Sequence, residues 1–187
     1  MSVRLLAFAA SLRRGSVNRR LIANAVHVAR EHGADVDAAE FAEFDMPLFN
    51  HDVQEATGFP AGAQELARRV QAADGMLIAS PEYNYSLPGT LKNAIDWVSR
   101  MKPMPFRGRT AFLMAASGGL IGGIRGLWQL RIPLEGCGVV VYPDMFPLSQ
   151  APQAFDDGGE LRDPQVRQRL ERMVTAYLKM AEALRER

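Results

Sequence analysis

Three polar segments of this sequence follow apolar runs and have residue types that could bind a ligand. The first, residues 11–18 (SLRRGSVN), combines hydroxyl side chains, two arginines and an asparagine. Hydroxyls, guanidinium groups and backbone N–H groups at the start of a helix are suited to binding phosphate. The segment lacks the GxxxxGK[ST] and GxGxxG patterns of triphosphate and dinucleotide sites. It therefore favours the phosphate of a mononucleotide, and a polar turn with Ser16 or Asn18 as helix cap is the alternative.

The second segment, residues 80–89 (SPEYNYSLPG), places two tyrosines and an asparagine after another apolar run. A flat heteroaromatic ring with amide and carbonyl edges needs backbone donors, a side-chain amide and a surface for stacking. Asn84, Tyr83 and Tyr85 can supply the last two. The segment predicts a ring-binding loop, and tyrosines that only cover the edge of a sheet are the alternative.

The third segment, residues 117–123 (SGGLIGG), contains four glycines. Positions without a side chain let a ring or another backbone approach closely. A flexible connection between a strand and a helix is the alternative interpretation.

The elements that would position these segments alternate along the whole chain as βαβα. Apolar residues at helical spacing, and start signals such as Asp163 followed by Pro164, predict helices between and after the strands. Residues 45–60 are polar and contain prolines, which predicts a loop. The predicted strands cover residues 3–10, 36–41, 75–79, 110–116 and 139–142.

Apart from the weaker strand at 36–41, these strands are continuous apolar runs, which predicts that helices cover both faces of the sheet. The expected fold is α/β, a five-stranded parallel sheet doubly wound with helices on both faces. Such sheets bind ligands outside the carboxyl ends of their strands, so the three polar segments should converge there.

Composition and charge restrict the class of protein. A length of 187 residues with 48% hydrophobic and 23% charged residues predicts a single globular domain over residues 1–187. The lone Cys137 cannot form an internal disulfide, and the early apolar run at 5–10 is too short for a membrane span, so we expect a cytoplasmic protein. The three histidines lack metal-ligand spacing, so no metal site is expected.

Charge is segregated along the chain although the net charge is only +1. Residues 1–30 contain six arginines and no acid, and residues 31–60 contain eight acids and no Lys or Arg. A nucleic-acid surface needs a basic excess over the whole domain, which this chain lacks. One small anionic ligand at the arginine-rich loop is the favoured explanation, with a solvated helix face as the alternative.

The motifs together resemble the NADPH-dependent FMN reductase family, the flavodoxin-like quinone, azo and chromate reductases. The resemblance rests on SLRRGSVN, SPEYNYSLPGTLKNAIDWVSR and ASGGLIGG and spans roughly residues 3–145. It implies a flavodoxin-like fold, bound FMN and NAD(P)H as co-substrate. Ala10 stands where family members commonly have glycine, and residues 45–52 look like the family loop that reaches the flavin pocket of a neighbouring subunit.

The resemblance also assigns cofactor-binding residues in each segment. The phosphate of FMN would be held by Ser11, Arg13, Ser16, Val17 and Asn18. The isoalloxazine would be bordered by Pro81, Glu82, Tyr83, Asn84 and Tyr85 on one side, and by Ser117, Gly118 and Gly119 on the other.

The function implied is hydride transfer from NAD(P)H to FMN, followed by two-electron reduction of a quinone or a similar acceptor such as a flavin, an azo compound or chromate. No catalytic side chain is expected. For Cys137 an inert buried thiol is favoured over a nucleophile, and for Glu82 a solvent-facing carboxylate is favoured over one that tunes the electronics of the flavin. A flavodoxin-type electron carrier is an alternative, against which the +1 charge and the arginines argue. A flavin-sensing regulatory module is another.

The expected partners are a small-molecule electron acceptor and further copies of the chain, as a homodimer or homotetramer, with no nucleic acid and no membrane. The resemblance implies that a neighbouring subunit helps to cover the flavin. Trp97 and Trp128 lie on the predicted helices that follow two of the binding segments, and aromatic residues are enriched where subunits meet. A position in the core is the alternative for each tryptophan.

Overall fold

Parallel strands form one sheet at the centre of the computed structural model, which describes residues 2–185. The order across the sheet is β2-β1-β3-β4-β5, with β6 also paired to β4, and this is the strand order of flavodoxin-like folds. The predicted fold is therefore confirmed. The strands are β1 (Arg4–Ala9), β2 (Asp35–Glu40), β3 (Gly75–Ala79), β4 (Thr110–Ala116), β5 (Val140–Val141) and β6 (Phe146–Leu148).

Two short strands occupy the fifth position of the sheet, where the sequence predicted one strand over 139–142. β5 pairs with the start of β4 at Thr110 and Ala111, and β6 pairs with residues 114–116 at its end. Pro143 lies between the two strands. Proline has no N–H to donate to a neighbouring strand, which explains the interruption.

Helices cover both faces of the sheet. One face packs against α3, α4 and α5 and the other against α1 and α7, so that alternate residues of β1, such as Leu6 and Ala7, enter different cores. The helices are α1 (Val17–Glu31), α2 (His51–Thr57), α3 (Ala61–Ala72), α4 (Gly89–Val98), α5 (Ile124–Gly136), α6 (Ala151–Ala154) and α7 (Pro164–Leu184), with a 3₁₀ helix at Phe41–Phe44.

The helix starts follow the capping signals of the sequence. The Asp163 carboxylate accepts a hydrogen bond from the Gln165 N–H at 2.8 Å, and Pro164 is the first residue of α7. The predicted loop over 45–60 is wrong in part, because α2 lies within it and is capped by Asn50. None of the residues of α2 is buried, so it has no apolar stripe for a periodicity argument to detect.

Within residues 2–185, no helix is both long enough and apolar enough to cross a membrane.

Candidate functional site

The three polar segments converge at one edge of the sheet. They follow β1, β3 and β4, which are neighbours in the sheet and run in parallel, so their carboxyl ends lie side by side. The predicted convergence is thus present.

The first segment connects β1 to the N-terminus of α1. Ser16 is buried and is the N-cap, its Oγ accepting a hydrogen bond from the Asn18 N–H at 3.2 Å. Ser11 is also buried, whereas Arg13 is exposed and donates to the Gly15 carbonyl at 3.0 Å. A helix N-terminus, hydroxyls and an exposed guanidinium therefore lie together, which is a donor set suited to a phosphate.

The side chain of Asn18 has a role that the sequence did not indicate. It is only 2% exposed, its Nδ2 donates to the Ala116 carbonyl at 2.9 Å, and its Oδ1 accepts from the Ala116 N–H at 2.8 Å. Ala116 is the last residue of β4. The Asn18 amide therefore fixes the start of α1 to the strand that precedes the third segment.

The second segment forms a tight hairpin between Tyr83 and Ser86. These two residues exchange backbone hydrogen bonds of 2.9 and 3.0 Å, and the two central residues, Asn84 and Tyr85, have positive φ angles of 48° and 68°. This is the pattern of a two-residue hairpin of the primed type. The hairpin presents its side chains at the edge of the sheet.

The two tyrosines of this hairpin do not pack down onto the end of the sheet. Tyr83 is 53% exposed and Tyr85 is 66% exposed. The guanidinium of Arg125, in the first turn of α5, lies 4.4 Å from the centre of the Tyr85 ring. The hairpin is therefore in contact with the helix that follows the third segment.

Glu82 does not face solvent as the sequence suggested. Its side chain is 14% exposed, and its Oε2 accepts a hydrogen bond from the Gly126 N–H at 3.1 Å. Its Oε1 lies 4.0 Å from a guanidinium nitrogen of Arg125. The carboxylate is directed to α5, a long-range contact that no local pattern of the sequence reveals.

The glycines of the third segment have two different surroundings. A Cβ at Gly122 would lie 2.8 Å from the Leu148 backbone nitrogen, and one at Gly123 would lie 2.9 Å from the Ala115 Cβ. Both have positive φ, so glycine is required there for the protein's own packing. Gly118 and Gly119 are exposed, and Ser117 Oγ accepts from the Gly119 N–H at 3.1 Å. The open side of this loop therefore lies at 118 and 119.

A fourth segment near the same edge, residues 45–50, is held onto α4. Asn93 accepts a hydrogen bond from the Phe49 N–H at 2.8 Å and donates to the Pro47 carbonyl at 2.9 Å. Trp97 Nε1 donates to the same carbonyl at 2.8 Å. Because the Trp97 residue is fully buried, it belongs to the core and not to an exposed interface. Between the two fixed residues Leu48 is 83% exposed.

In the part of the chain that the structure describes, no metal site accompanies these loops. Residues 2–185 contain no group of three His, Cys, Asp or Glu side chains placed to hold a metal ion. Cys137 is partly buried, and burial together with the Asp96 carboxylate raises the pKa of its thiol. A raised pKa leaves less thiolate at neutral pH, which is unfavourable for a nucleophile.

Comparison with known proteins agrees with this geometry. The model of the NADPH-dependent FMN reductase family matches residues 3–153. The chain is 36% identical over 181 residues to an NAD(P)H-dependent FMN reductase of Pseudomonas aeruginosa, with 93% of this chain and 92% of the relative covered. It is 43% identical over 121 residues to a quinone reductase of Escherichia coli, with 65% of this chain and 63% of the relative covered.

Among solved structures, the fold is similar to that of FerB, a flavoenzyme NAD(P)H:(acceptor) oxidoreductase of Paracoccus denitrificans. The TM-score is 0.85 at 26% identity, and the match covers 98% of this chain and 100% of the other. The resemblance read from the motifs is thereby confirmed. The chain belongs to the NADPH-dependent FMN reductase family, and is an oxidoreductase with FMN as cofactor and NAD(P)H as electron donor.

Proposed function

We propose that this protein transfers two electrons from NAD(P)H, by way of bound FMN, to quinones or similar flat acceptors. The observation that carries the proposal is the edge where three adjacent strands end. Each of the three loops there combines polar or backbone groups with an exposed apolar side chain: Leu12 in the first, Tyr83 in the second and Leu120 in the third. A flat ring with polar edges fits such a surface.

The first loop supplies the phosphate site in this proposal. Hydroxyls, the α1 N-terminus and the Arg13 guanidinium offer a phosphate several donors and a positive field. Arg13 donates one hydrogen bond to a carbonyl of its own loop, and a guanidinium has five N–H groups, so others can turn to an anion. The residues assigned to the phosphate are Ser11, Arg13, Ser16, Val17 and Asn18. Asn18 takes part through its place in the first turn of α1, because both polar atoms of its side chain are bonded to Ala116.

The second and third loops border the ring. In the second loop we assign this role to the backbone and side chains of Pro81, Glu82, Tyr83, Asn84 and Tyr85. In the third loop we assign it to Ser117, Gly118 and Gly119, where two exposed positions without side chains leave room for a ring edge.

Bound FMN supplies the redox chemistry, which is acceptance of a hydride from NAD(P)H and delivery of two electrons to the acceptor. The chain's own residues bind the phosphate, orient the ring and leave one side open for both substrates in turn. We assign no catalytic side chain, because the one carboxylate of the ring-binding loop, that of Glu82, is bonded to α5.

The rim of the proposed site favours a flat, apolar acceptor. Leu12 is 55% exposed and Leu120 is 81% exposed, so an aromatic ring that covers them removes apolar surface from water. Quinones, flavins and azo compounds share this property. Chromate does not, and we rank it below the quinones as a substrate.

We further propose that the enzyme is a homodimer or a homotetramer. Two exposed apolar features support this: Leu48, held out by a segment fixed to α4, and the α5 side chains Trp128 and Ile132, which are 55% and 65% exposed. Trp128 and Ile132 are one helical turn apart and so lie side by side on α5, and exposed apolar patches mark surfaces of interaction.

We propose a cytoplasmic enzyme built as one domain over residues 1–187, with no nucleic acid among its partners. The nicotinamide donor is a metabolite of the cell interior, and the lone Cys137 agrees with a reducing compartment.

Steady-state oxidation of NADPH with benzoquinone as acceptor tests the proposed reaction. The purified holoprotein should turn over with these two small molecules and no second protein. A parallel titration with NADH measures the preference between the two nicotinamides. Turnover that requires an added reductase or acceptor protein would instead identify an electron carrier of the flavodoxin type.

A further inference from the structure

The residue at the N-cap position of α5 does not cap the helix with a side chain. Its N-cap position is Gly123, which has a φ of 84° and no side chain to accept a hydrogen bond. The first turn of a helix has N–H groups without partners inside the helix, and a buried one is destabilising. The Glu82 carboxylate bonds one of them, the Gly126 N–H, at 3.1 Å.

The hairpin of the second segment and the first turn of α5 touch at backbone distance. A Cβ at Gly126 would lie 3.1 Å from both the Cα and the Cβ of Glu82, and 3.1 Å from the Ser86 carbonyl oxygen. Glycine at position 126 is therefore what lets α5 approach the hairpin. A shift of α5 would therefore move the hairpin. The hydrogen bond from the Gly126 N–H to the Glu82 carboxylate joins the two elements.

Arg125 contacts the turn of the same hairpin. Its guanidinium stacks on the Tyr85 ring at 4.4 Å and lies 4.0 Å from the Glu82 carboxylate. Tyr85 has a φ of 68°, a conformation that a bulky residue adopts only at an energetic disadvantage. The two contacts from α5 therefore stabilise a hairpin shape that is unfavourable by itself.

We propose that Glu82 is a positioning residue for the flavin ring. Its carboxylate caps α5 from outside the helix. In this way it aligns the hairpin with the third segment, residues 117–123, which leads into the same helix. A carboxylate at a helix N-terminus also interacts favourably with the positive end of the helix dipole. This inference rests on the proposed ring-binding role of the two loops.

The test is a titration of apoprotein with FMN and, separately, with riboflavin, which has the same ring but no phosphate. We expect Glu82→Ala to lower the affinity for FMN and for riboflavin by the same factor, about tenfold, because the change affects the part of the site that binds the ring. Glu82→Gln keeps an acceptor oxygen for the Gly126 N–H and should stay within about threefold of the wild type. Glu135→Ala is the matched control, since Glu135 lies on α5 and pairs with Arg131 away from the hairpin.

Gly126→Ala provides a second route to the same displacement, because it keeps the carboxylate and pushes the hairpin from α5. Gly126→Ala should lower the affinity for FMN and for riboflavin as Glu82→Ala does. The melting temperature of each apoprotein is measured alongside.

A Glu82→Ala protein that melts lower but binds both flavins as tightly as the wild type would overturn the inference and leave Glu82 with a role in stability alone. So would an equal loss of affinity in Glu135→Ala. A wild-type protein that binds neither flavin would overturn the assignment of the loops to the ring as well.

Discussion

The side-chain amide of Asn18 forms two hydrogen bonds with the backbone of Ala116, at 2.9 and 2.8 Å, and the two residues are 98 positions apart. The pair joins the first turn of α1 to the last residue of β4, so the proposed phosphate loop and the third segment, residues 117–123, are held at a fixed distance. Both partners are buried, which makes the contact expensive to lose.

Replacement of Asn18 by alanine should destabilise the protein. The Ala116 N–H and carbonyl would both lose their partner, and unsatisfied buried groups cost about 1–3 kcal/mol each, so we expect at least ~2 kcal/mol and a melting temperature lower by about 4–8 °C. Thermal unfolding of the apoprotein measures this. Asn50→Ala removes the cap of the exposed helix α2 and should cost no more than ~1 kcal/mol. An Asn18→Ala protein that melts with the wild type would show that the pair does not stabilise the fold.

Replacement of Arg13 by alanine should weaken the phosphate contact selectively. A charge-assisted hydrogen bond contributes roughly 1.5–3 kcal/mol, so FMN should bind about 10-fold to 100-fold more weakly. Riboflavin, which has no phosphate, should bind as it does to the wild type. Fluorescence titration of the apoprotein with each flavin measures both affinities.

Arg14→Ala is the control for this measurement, since Arg14 is the exposed neighbour of Arg13 in the same loop. If Arg14→Ala loses the FMN affinity and Arg13→Ala keeps it, the assignment moves to Arg14. If neither variant changes the affinity, backbone donors and hydroxyls hold the phosphate alone.

A charge at Leu48 should weaken self-association. Leu48 is 83% exposed on a segment that Asn93 and Trp97 hold in place, so Leu48→Glu should leave the fold of the subunit intact. If the residue lies in a subunit contact, the dissociation constant should rise at least about tenfold. Light scattering over a range of protein concentrations measures the change.

Leu184→Glu is the matched control, because Leu184 is a partly exposed leucine at the end of α7, and it should associate as the wild type does. A wild-type protein that remains a 20.6 kDa monomer at micromolar concentration with FMN bound would contradict the oligomer proposal.

Cys137 should react slowly with thiol reagents. Burial and the neighbouring Asp96 carboxylate raise the pKa of its thiol, so at pH 8 a smaller fraction is thiolate than in a free cysteine. We expect alkylation by iodoacetamide to be about tenfold slower in the native protein than in the unfolded one, and to speed up as the pH rises. Cys137→Ser should retain NADPH oxidation. Rapid alkylation with loss of turnover in the wild type, but not in Cys137→Ser, would contradict an inert role.

The sequence predicts the central strands well, because an apolar run is a strong signal that lies within a few consecutive residues. β3 and β4 are continuous apolar runs, and the prediction of residues 75–79 and 110–116 coincides with the strands observed. The caps at Ser16 and Asp163 are likewise local signals. The convergence of the three loops follows from parallel topology, which the apolar strands indicate.

The features that the sequence does not predict depend on long-range contacts or on the absence of a pattern. In the sequence Glu82 looks like an ordinary loop carboxylate, because its contact with α5 exists only in the folded chain. The role of the Asn18 amide likewise depends on where the fold places Ala116. The sequence places Trp97 on a helix that could meet another subunit, whereas in the structure its side chain is fully buried and its N–H donates to the Pro47 carbonyl. α2 buries no residue, so it leaves no periodic signal.

We expect the chain to take electrons from NAD(P)H onto its own FMN without a partner protein. The most direct measurement mixes purified holoprotein with NADPH in the absence of oxygen and follows the visible absorbance of the flavin. We predict that this absorbance is lost with a stoichiometric amount of NADPH and returns when benzoquinone is added. Flavin absorbance that persists in excess NADPH, and is lost only after a separate reductase protein is added, would show that the chain does not accept electrons from NADPH by itself.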